Sequence, residues 1–254
     1  MKRICVIPAR MASKRFPNKP LFKIHGLTII EHIYHRCKLA KTIDEVYVAT
    51  CDQEIFDCIE KAGGKAIMTA NTHERCTDRV EEAVNKLAYN LDDQDIVLMV
   101  QGDEILITPE MLDEMCRKMD NSEAPVINLV CKIRDMKYFD AVNAVKIVSS
   151  INDEALYLSR SPIPSHALHK ADHVWQQTGI IGFRTQFLKK FSQLSPTPLE
   201  KVESVDMLRV LEHGYKLKLH KTMDQLVGVD NLSDARDVDQ ILSTDLTMKR
   251  YNHV

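Results

Sequence analysis

The stretch VIPARMASKRFPNKPL, residues 6–21, joins an apolar strand to a loop rich in positive charge. A strand followed by a turn is typical of a nucleotide site in an α/β protein, but the usual turn contains glycines that let backbone amides contact a phosphate. This loop has no glycine and carries Arg10, Lys14, Arg15 and Lys19 instead. Two prolines stiffen it and would hold its charges in place before a ligand arrives. We therefore expect side chains to grip an anion here, with Lys14 left on the surface.

The bulk composition excludes several classes of protein. The 254 residues are 44% hydrophobic, enough for the core of one α/β domain, and the net charge of −2 does not favour nucleic-acid binding. No apolar run reaches membrane length, so we expect a soluble, cytoplasmic protein without membrane insertion. The seven cysteines are odd in number and irregularly spaced, which indicates reduced thiols. The histidines have no zinc-ligand spacing.

The first half of the chain alternates strand and helix. Strands are predicted at residues 4–8, 45–50, 65–69 and 95–104, and helices at 27–40, 52–64 and 77–89. Asp52 is the predicted N-cap of the second helix, and Thr77 or Asp78 that of the third. This order predicts a Rossmann-like, mostly parallel sheet wrapped by helices.

The second half of the chain does not continue this regular alternation of strand and helix. Residues 124–133 and 143–150 resemble neighbouring strands that pair antiparallel, and further strands are predicted within 173–184 and 216–222. Residues 198–214 have the pattern of one helix ended by Gly214, and 233–242 of a closing helix. We therefore predict a smaller mixed α/β lobe inserted in the second half of a single domain.

Ligands of an open α/β sheet bind outside the carboxyl ends of its strands, so the residues that follow each strand are candidates for the site. Arg10, Ser13, Arg15 and Lys19 follow the first strand, as phosphates require. Asp103 follows the fourth, and Asp230 lies in a late loop. Magnesium commonly takes one or two carboxylates, with substrate phosphates completing its shell. The alternatives are a solvated loop for the cations and a helix cap or ion pair for Asp103.

Several motifs in order along the whole chain resemble one known family. They include IPARMASKRFPNKPL, ATCD, TDR, VQGDEILI, NAVKIV, ALYLSRSPIP, SPTPLEKVE, LRVLEHG and GVD. Together they are similar to the CMP-Kdo synthetases, the 3-deoxy-manno-octulosonate cytidylyltransferases. The resemblance implies a cytoplasmic nucleotidyltransferase of lipopolysaccharide biosynthesis that uses CTP and Mg²⁺ to activate a 2-keto-3-deoxy sugar acid. It also implies a homodimer built through the second lobe.

The resemblance assigns roles to individual residues. It implies that residues 1–108 form the CTP-binding half, about 122–220 the sugar-binding and dimerisation lobe, and 221–254 a return to the core. Asp103 and Asp230 would hold the magnesium and, with Arg15 and Lys19, support catalysis. The nucleotide would be bound by Arg10, Ser13, Arg15, Lys19, Arg79 and Gln101. The sugar acid would be bound by Gln101, Arg160, Gln177, Glu200 and Glu203, with Arg160 pairing with its carboxylate.

The chain departs from the family pattern mainly where the sugar would bind. Asn18 replaces a glycine in the first loop, and asparagine tolerates a left-handed conformation. Arg75 and Cys76 replace a serine and a glycine before Arg79. Other departures are Ile105 for a proline, Gln176-Gln177-Thr178 where a histidine is expected, Asp206-Met207 for a Glu-Gln pair, and a shortened loop after SRSPIP. The acceptor is therefore expected to be Kdo or a related acid.

Two alternatives concern the chemistry. The chain could use a different sugar acid or a different NTP, or it could bind a nucleotide without catalysis, although both metal carboxylates are present. Cys76 is not expected to act as a nucleophile, because no nearby base is evident and direct cytidylyl transfer needs no covalent intermediate.

Overall fold

A nine-stranded sheet dominates the computed structural model, which describes residues 1–12, 15–169, 171–224 and 226–252. The strands are β1 (Arg3–Ala9), β2 (Lys23–Ile24), β3 (Leu27–Thr28), β4 (Glu45–Thr50), β5 (Ala66–Met68), β6 (Ile96–Val100), β7 (Val126–Lys132), β8 (Lys146–Ser149), β9 (Ala155–Ser159), β10 (Trp175–Arg184) and β11 (Leu217–Thr222). The helices are α1 (Ile29–Lys38), α2 (Gln53–Lys61), α3 (Cys76–Asn85), α4 (Pro109–Asp120), α5 (Met136–Asp140), α6 (Thr185–Gln193), α7 (Pro198–Glu203), α8 (Met207–Glu212) and α9 (Leu232–Leu242). Short 3-10 turns occupy Lys19–Leu21 and Met248–Arg250.

The predicted fold class is confirmed. The main sheet has the order β11-β7-β10-β6-β1-β4-β5, and β8 and β9 extend it beside β10. Strand pairs β1–β4, β1–β6, β4–β5 and β7–β11 are parallel, whereas β10 runs antiparallel to β6, β7 and β8. The reversed β10 therefore brings its amino end to the edge where its neighbours β6 and β7 have their carboxyl ends.

Two layers of helices cover the sheet because alternate strand residues point to opposite faces. On β1, Cys5 and Ile7 pack into the layer that contains α1, α2, α4 and α9. Ile4 and Val6 pack into the opposite layer with α3, α6 and α8. All four side chains are fully buried, so the first strand is a central element of the core.

Two predictions for the second half are wrong. Strands β7 and β8 do not pair with each other, because β10 lies between them and pairs with both. The single helix predicted over 198–214 is two helices, since Ser204 adopts φ 52° and interrupts it. A left-handed residue cannot continue a right-handed helix, so the chain turns there before α8 begins.

The predicted N-cap position of Asp52 is confirmed, although its side chain does not cap the helix, and the predicted cap of the third helix is wrong. Asp52 stands at the start of α2, but its Oδ2 accepts a hydrogen bond from the backbone N–H of Met11 at 2.7 Å instead of capping the helix. Helix α3 starts one residue earlier than expected, with Arg75 as its N-cap residue in place of Thr77 or Asp78. The side chain of Asp52 thus ties the first loop to the end of β4.

Residues predicted to form the second lobe contribute strands both to the centre of the main sheet and to its lateral extension. Strands β7, β10 and β11 belong to the main sheet, whereas β8 and β9 extend it laterally. The exact limits of a sugar-binding lobe stay a prediction. In the described part of the chain, no helix is both long and apolar enough to cross a membrane.

A buried ion pair joins the two helices on either side of Ser204. Glu200 receives two hydrogen bonds from Arg209, from Nη2 to Oε1 at 2.6 Å and from Nε to Oε2 at 2.8 Å. Their side chains are only 1% and 5% exposed. Burial alone would raise the pKa of Glu200, but the hydrogen bonds from Arg209 and from the backbone N–H of Thr197, together with the charges of Arg209 and Arg75, outweigh it and hold that pKa below its usual range. The pair therefore fixes the angle between α7 and α8.

We expect Arg209→Met to lower the free energy of unfolding by about 3–5 kcal/mol, because Glu200 would keep its charge in a buried site without a partner. Urea denaturation at neutral pH measures this change. The matched control is Arg117→Met, since Arg117 lies exposed on α4 and is 3.9 Å from Glu114. Equal losses in the two variants would contradict a structural role for the buried pair.

Candidate functional site

A cleft of about 330 Å³ opens at the edge where β6 and β11 end and β10 begins. Its lining combines residues after β6, the first residues of β10, the start of α3, the turn between α7 and α8, and the loop before α9. Ligand sites of this size are typical of enzymes that bind small molecules. The order of the strands predicted this edge. Only the family resemblance placed a residue of β10, Gln177, at the site, because the reversed direction of β10 is set by strand pairing.

The positively charged first loop lies at one end of this cleft. Asn18 adopts φ 57°, the left-handed conformation expected for it, and starts the 3-10 turn at Lys19. Arg10 donates a long hydrogen bond of 3.5 Å to the backbone oxygen of His73. Two residues of this loop, Ser13 and Lys14, fall outside the described part of the chain, so the role of Ser13 stays a prediction.

The structure brings the two predicted metal carboxylates together around one cation. The ammonium of Lys19 is 3.0 Å from Oδ2 of Asp103 and 3.7 Å from Oδ1 of Asp230. Arg15 donates from Nη2 to the same Asp230 oxygen at 3.0 Å. The backbone N–H of Val229 donates to the backbone oxygen of Asp103 at 3.1 Å, which holds the late loop against the end of β6. These four charged side chains form what we call the carboxylate–cation cluster: Arg15, Lys19, Asp103 and Asp230.

The donor set of this cluster fits a divalent cation that also binds phosphate. Because one ammonium contacts both Asp103 and Asp230, the two carboxylates can be reached from a single point. Among the described residues, no group of three or more His, Cys, Asp or Glu side chains has the arrangement of a complete metal site. Two carboxylates with an incomplete shell match Mg²⁺, which keeps waters and takes substrate phosphates as its other ligands.

Glu104 is a buried acid beside this cluster that the sequence did not single out. Its Oε1 accepts a hydrogen bond of 2.5 Å from the backbone N–H of Gly179, which connects the end of β6 to β10. Burial, and secondarily the charge of Asp103, raises the pKa of Glu104 to about 8. A neutral Glu104 leaves the charges of the cluster balanced between two carboxylates and two cations. The only signal in the sequence was its position next to Asp103.

Two of the predicted nucleotide residues, Arg79 and Gln101, line different cavities. Arg79 is buried and donates from Nη1 to the backbone oxygen of Ala70 at 3.1 Å, and it lines a small neighbouring cavity of about 50 Å³ with Arg10. Gln101 lines the main cleft. A Cβ at Gly179 would lie 2.7 Å from the side-chain carbons of Gln101, so only glycine leaves room for that side chain.

On the side of the cleft formed by the second lobe, two of the predicted sugar-binding residues, Gln177 and Arg160, line the cleft. Gln177 donates to Oδ1 of buried Asn128 at 2.9 Å. The guanidinium of Arg160 donates through Nε, Nη1 and Nη2 to the backbone oxygens of Glu203, Val142 and Ser204, at 2.5, 3.0 and 3.2 Å. Most of its hydrogen-bonding capacity is therefore directed at the protein.

Lys146 supports this arrangement and was not assigned a role from the sequence. It is fully buried, and its ammonium donates to the backbone oxygens of Ala141, Ala144 and Arg160 at 2.8, 2.6 and 2.5 Å. The sequence feature that could have revealed this role is a lysine within the apolar stretch NAVKIV. Through its three hydrogen bonds, Lys146 fixes the loop before β8 to the end of β9.

The remaining two predicted sugar residues do not line the cleft. Glu200 is buried in its pair with Arg209. Glu203 accepts hydrogen bonds from Ser159 Oγ at 2.7 Å and from the backbone N–H of Arg160 at 2.8 Å. Both carboxylates therefore hold the walls of the cleft in this structure, and their contact with a sugar stays a prediction.

Three of the residues that depart from the family pattern lie at one wall of the cleft. Arg75, Cys76 and Asp206 line the cleft together, and Thr77 donates to Oδ2 of Asp206 at 2.8 Å. Burial raises the pKa of the Cys76 thiol to about 12, which leaves the thiol protonated at neutral pH and agrees with a non-nucleophilic role.

Comparison with known proteins points to one family. A family model described as cytidylyltransferase matches residues 4–220. The 3-deoxy-manno-octulosonate cytidylyltransferase of Thermodesulfovibrio yellowstonii is 42% identical, over 96% of this chain and 99% of that protein. The protein of the same name from Acaryochloris marina is 37% identical, over 92% and 94%. A solved structure of CMP:2-keto-3-deoxy-manno-octonic acid synthetase complexed with CTP is 33% identical, with a TM-score of 0.89 over 97% of this chain and all of that one.

Proposed function

The chain belongs to the 3-deoxy-manno-octulosonate cytidylyltransferase family, and we propose that it activates Kdo, or a closely related 2-keto-3-deoxy sugar acid, with CTP. The products are the CMP-sugar and pyrophosphate. The observation that carries the proposal is the convergence of Asp103 and Asp230 on Lys19, beside Arg15, at one end of a cleft. That cluster suits a triphosphate, and the rest of the cleft leaves space for an acceptor.

The proposed reaction is a direct transfer. The anomeric hydroxyl oxygen of the sugar acid forms a bond to the α-phosphorus of CTP and loses its proton. The bond from the α-phosphorus to the bridging oxygen breaks, and pyrophosphate leaves with the electron pair. Such a reaction mostly requires that the protein hold the reactants in line and stabilise charge.

The cations of the first loop would supply the charge stabilisation. Lys19 lies within 4 Å of both carboxylates, so a short movement would transfer its ammonium to the phosphate oxygens of bound CTP. Arg15 is mostly exposed and can follow the departing pyrophosphate. Arg10 and Arg79 lie beside the smaller cavity, where they would contact other parts of the nucleotide.

We propose Mg²⁺ as the cofactor, with Asp103 and Asp230 as its protein ligands. When bound, it would neutralise phosphate charge and lower the pKa of the attacking hydroxyl. Asp230 is held for this role by its own backbone N–H, which donates to Oδ2 of Asp234 at 2.8 Å. The late loop therefore keeps a fixed shape while the side chain of Asp230 faces the cluster.

The experiment that tests the function is a turnover assay with the four common NTPs and a panel of 2-keto-3-deoxy sugar acids. We expect CTP with Kdo or a near relative to give pyrophosphate and a CMP-sugar. If a related acid reacts faster than Kdo, the departures at Arg75, Cys76 and Gln177 have altered the acceptor. A preference for UTP or dTTP would refute the nucleotide assignment, and release of no pyrophosphate from any pair would favour a non-catalytic binder.

We expect Asp103→Asn to lower kcat by about 100-fold or more, because several kcal/mol of charge stabilisation depend on a metal-binding carboxylate. Thermal unfolding should stay close to that of the parent protein, since the amide has the same shape. Asp237→Asn, on the exposed face of α9, is the matched control and should retain full activity. Near-normal turnover in Asp103→Asn would rule out its metal role.

We also propose a homodimer formed through the second lobe. Large apolar side chains are exposed there, among them Val142, Ile151, Leu156, Leu168 and Val202. A contiguous apolar patch commonly marks an association surface, and these five side chains all belong to the segment predicted as the second lobe. Light scattering should give twice the 29.1 kDa of the chain, and Val202→Glu should shift the mass toward one chain. A parent protein that scatters as a single chain at micromolar concentration would contradict the proposal.

A further inference from the structure

Three basic side chains line the described part of the cleft, and they differ in how far their hydrogen-bond donors are already used. Arg15 pairs with Asp230 at the end of the cleft that holds the carboxylate–cation cluster. Arg160 directs three of its nitrogens at backbone oxygens. Arg75 makes one hydrogen bond, from Nη1 to Ser204 Oγ at 3.1 Å. Arg75 is therefore the cleft cation with the most donor capacity left for a ligand.

The other neighbour of Arg75 does not use up its charge. Its Nε lies 3.9 Å from Oε1 of Glu200, which is beyond hydrogen-bond distance. Glu200 is already satisfied by Arg209 and by the backbone N–H of Thr197. Within the described ranges, no hydrogen bond or ion pair involves Nη2 of Arg75. A guanidinium with two donors on one edge is suited to binding a carboxylate in bidentate fashion.

The position of Arg75 also suits the acceptor. It stands at the start of α3 and reaches across to Ser204 at the turn between α7 and α8, so it borders two walls of the main cleft, and it also lines the smaller cavity beside Arg10 and Arg79. About a third of its side chain is exposed. A guanidinium there can be desolvated by a ligand without first being pulled out of the core.

We propose that Arg75 binds the carboxylate of the sugar acid and thereby determines the acid specificity of the enzyme. This inference rests on the proposed function and reassigns the carboxylate contact from Arg160 to Arg75. Arg160 then acts as a positioning residue that shapes the wall through its three backbone contacts.

The test compares an acid with its uncharged analogue. Initial rates are measured with CTP and either Kdo or the carboxamide of Kdo, for the parent protein and for Arg75→Ala, Arg75→Lys and Arg160→Ala. For Arg75→Ala we expect kcat/KM for the acid to fall about 10- to 100-fold, as for a lost hydrogen bond to a charged group. The value for the amide and the KM for CTP should change by less than about threefold. Arg75→Lys should retain part of the preference for the acid, because it keeps the charge but not the paired donors.

The controls distinguish carboxylate binding from a purely structural role of Arg75. Arg117→Ala removes an exposed arginine on α4 and should leave the acid-to-amide ratio unchanged. If Arg75 only connected the two walls of the cleft, Arg75→Ala would lower kcat/KM equally for the acid and the amide. That result would overturn the inference. Loss of the ratio in Arg160→Ala but not in Arg75→Ala would also overturn it, as would a rise confined to the KM for CTP. If the parent protein activates no acid with CTP, the proposed function itself fails.

Discussion

The site depends on two carboxylates, Asp103 and Asp230, lying close together at one edge of the sheet. Asp103 and Asp230 repel each other unless a positive charge lies between them, and Lys19 supplies it at 3.0 and 3.7 Å. That contact joins parts of the chain far apart in sequence: the first loop, the end of β6 and the loop before α9. The turn at Asn18 positions Lys19. The backbone hydrogen bond from Val229 to Asp103 holds the loop before α9 close to the end of β6. The ion pair also keeps a cation where the charges of a metal and a triphosphate would later be balanced.

Much of the nucleotide end could be predicted from the sequence, because its signals are local. A buried strand followed by four cations indicates an anion site without knowledge of the fold, and the left-handed Asn18 follows from the backbone preferences of asparagine. The position of Asp103 at the ligand-binding edge follows from the rule that ligands of an open α/β sheet bind outside the carboxyl ends of its parallel strands. The alternative prediction for Asp103, an ion pair, is confirmed by its contact with Lys19, whereas its role as a metal ligand stays a prediction.

The acceptor end could not be predicted in the same way, because its geometry depends on contacts distant in sequence. The apolar pattern of residues 198–214 continues through Ser204, so nothing local indicates the break between α7 and α8. Glu200 looks like a free carboxylate until Arg209 is placed against it. Likewise, Arg160 carries a full charge in the sequence, but three backbone oxygens receive its hydrogen bonds in the fold. Which charged side chain faces a ligand is decided by which ones the protein has already satisfied.

This division has a consequence for how the cleft can change its ligand. Within the carboxylate–cation cluster, each charged side chain contacts another member, so replacing one removes a partner from its neighbour. At the acceptor end, Lys146, Arg160 and Glu203 stabilise backbone, and replacing them would disturb the walls rather than the choice of ligand. Arg75 is connected to the walls by one hydrogen bond from a partly exposed position. Substitution at Arg75 removes only that hydrogen bond from the walls, so Arg75 is the position at which we expect acceptor preference to vary without a change in the carboxylate–cation cluster.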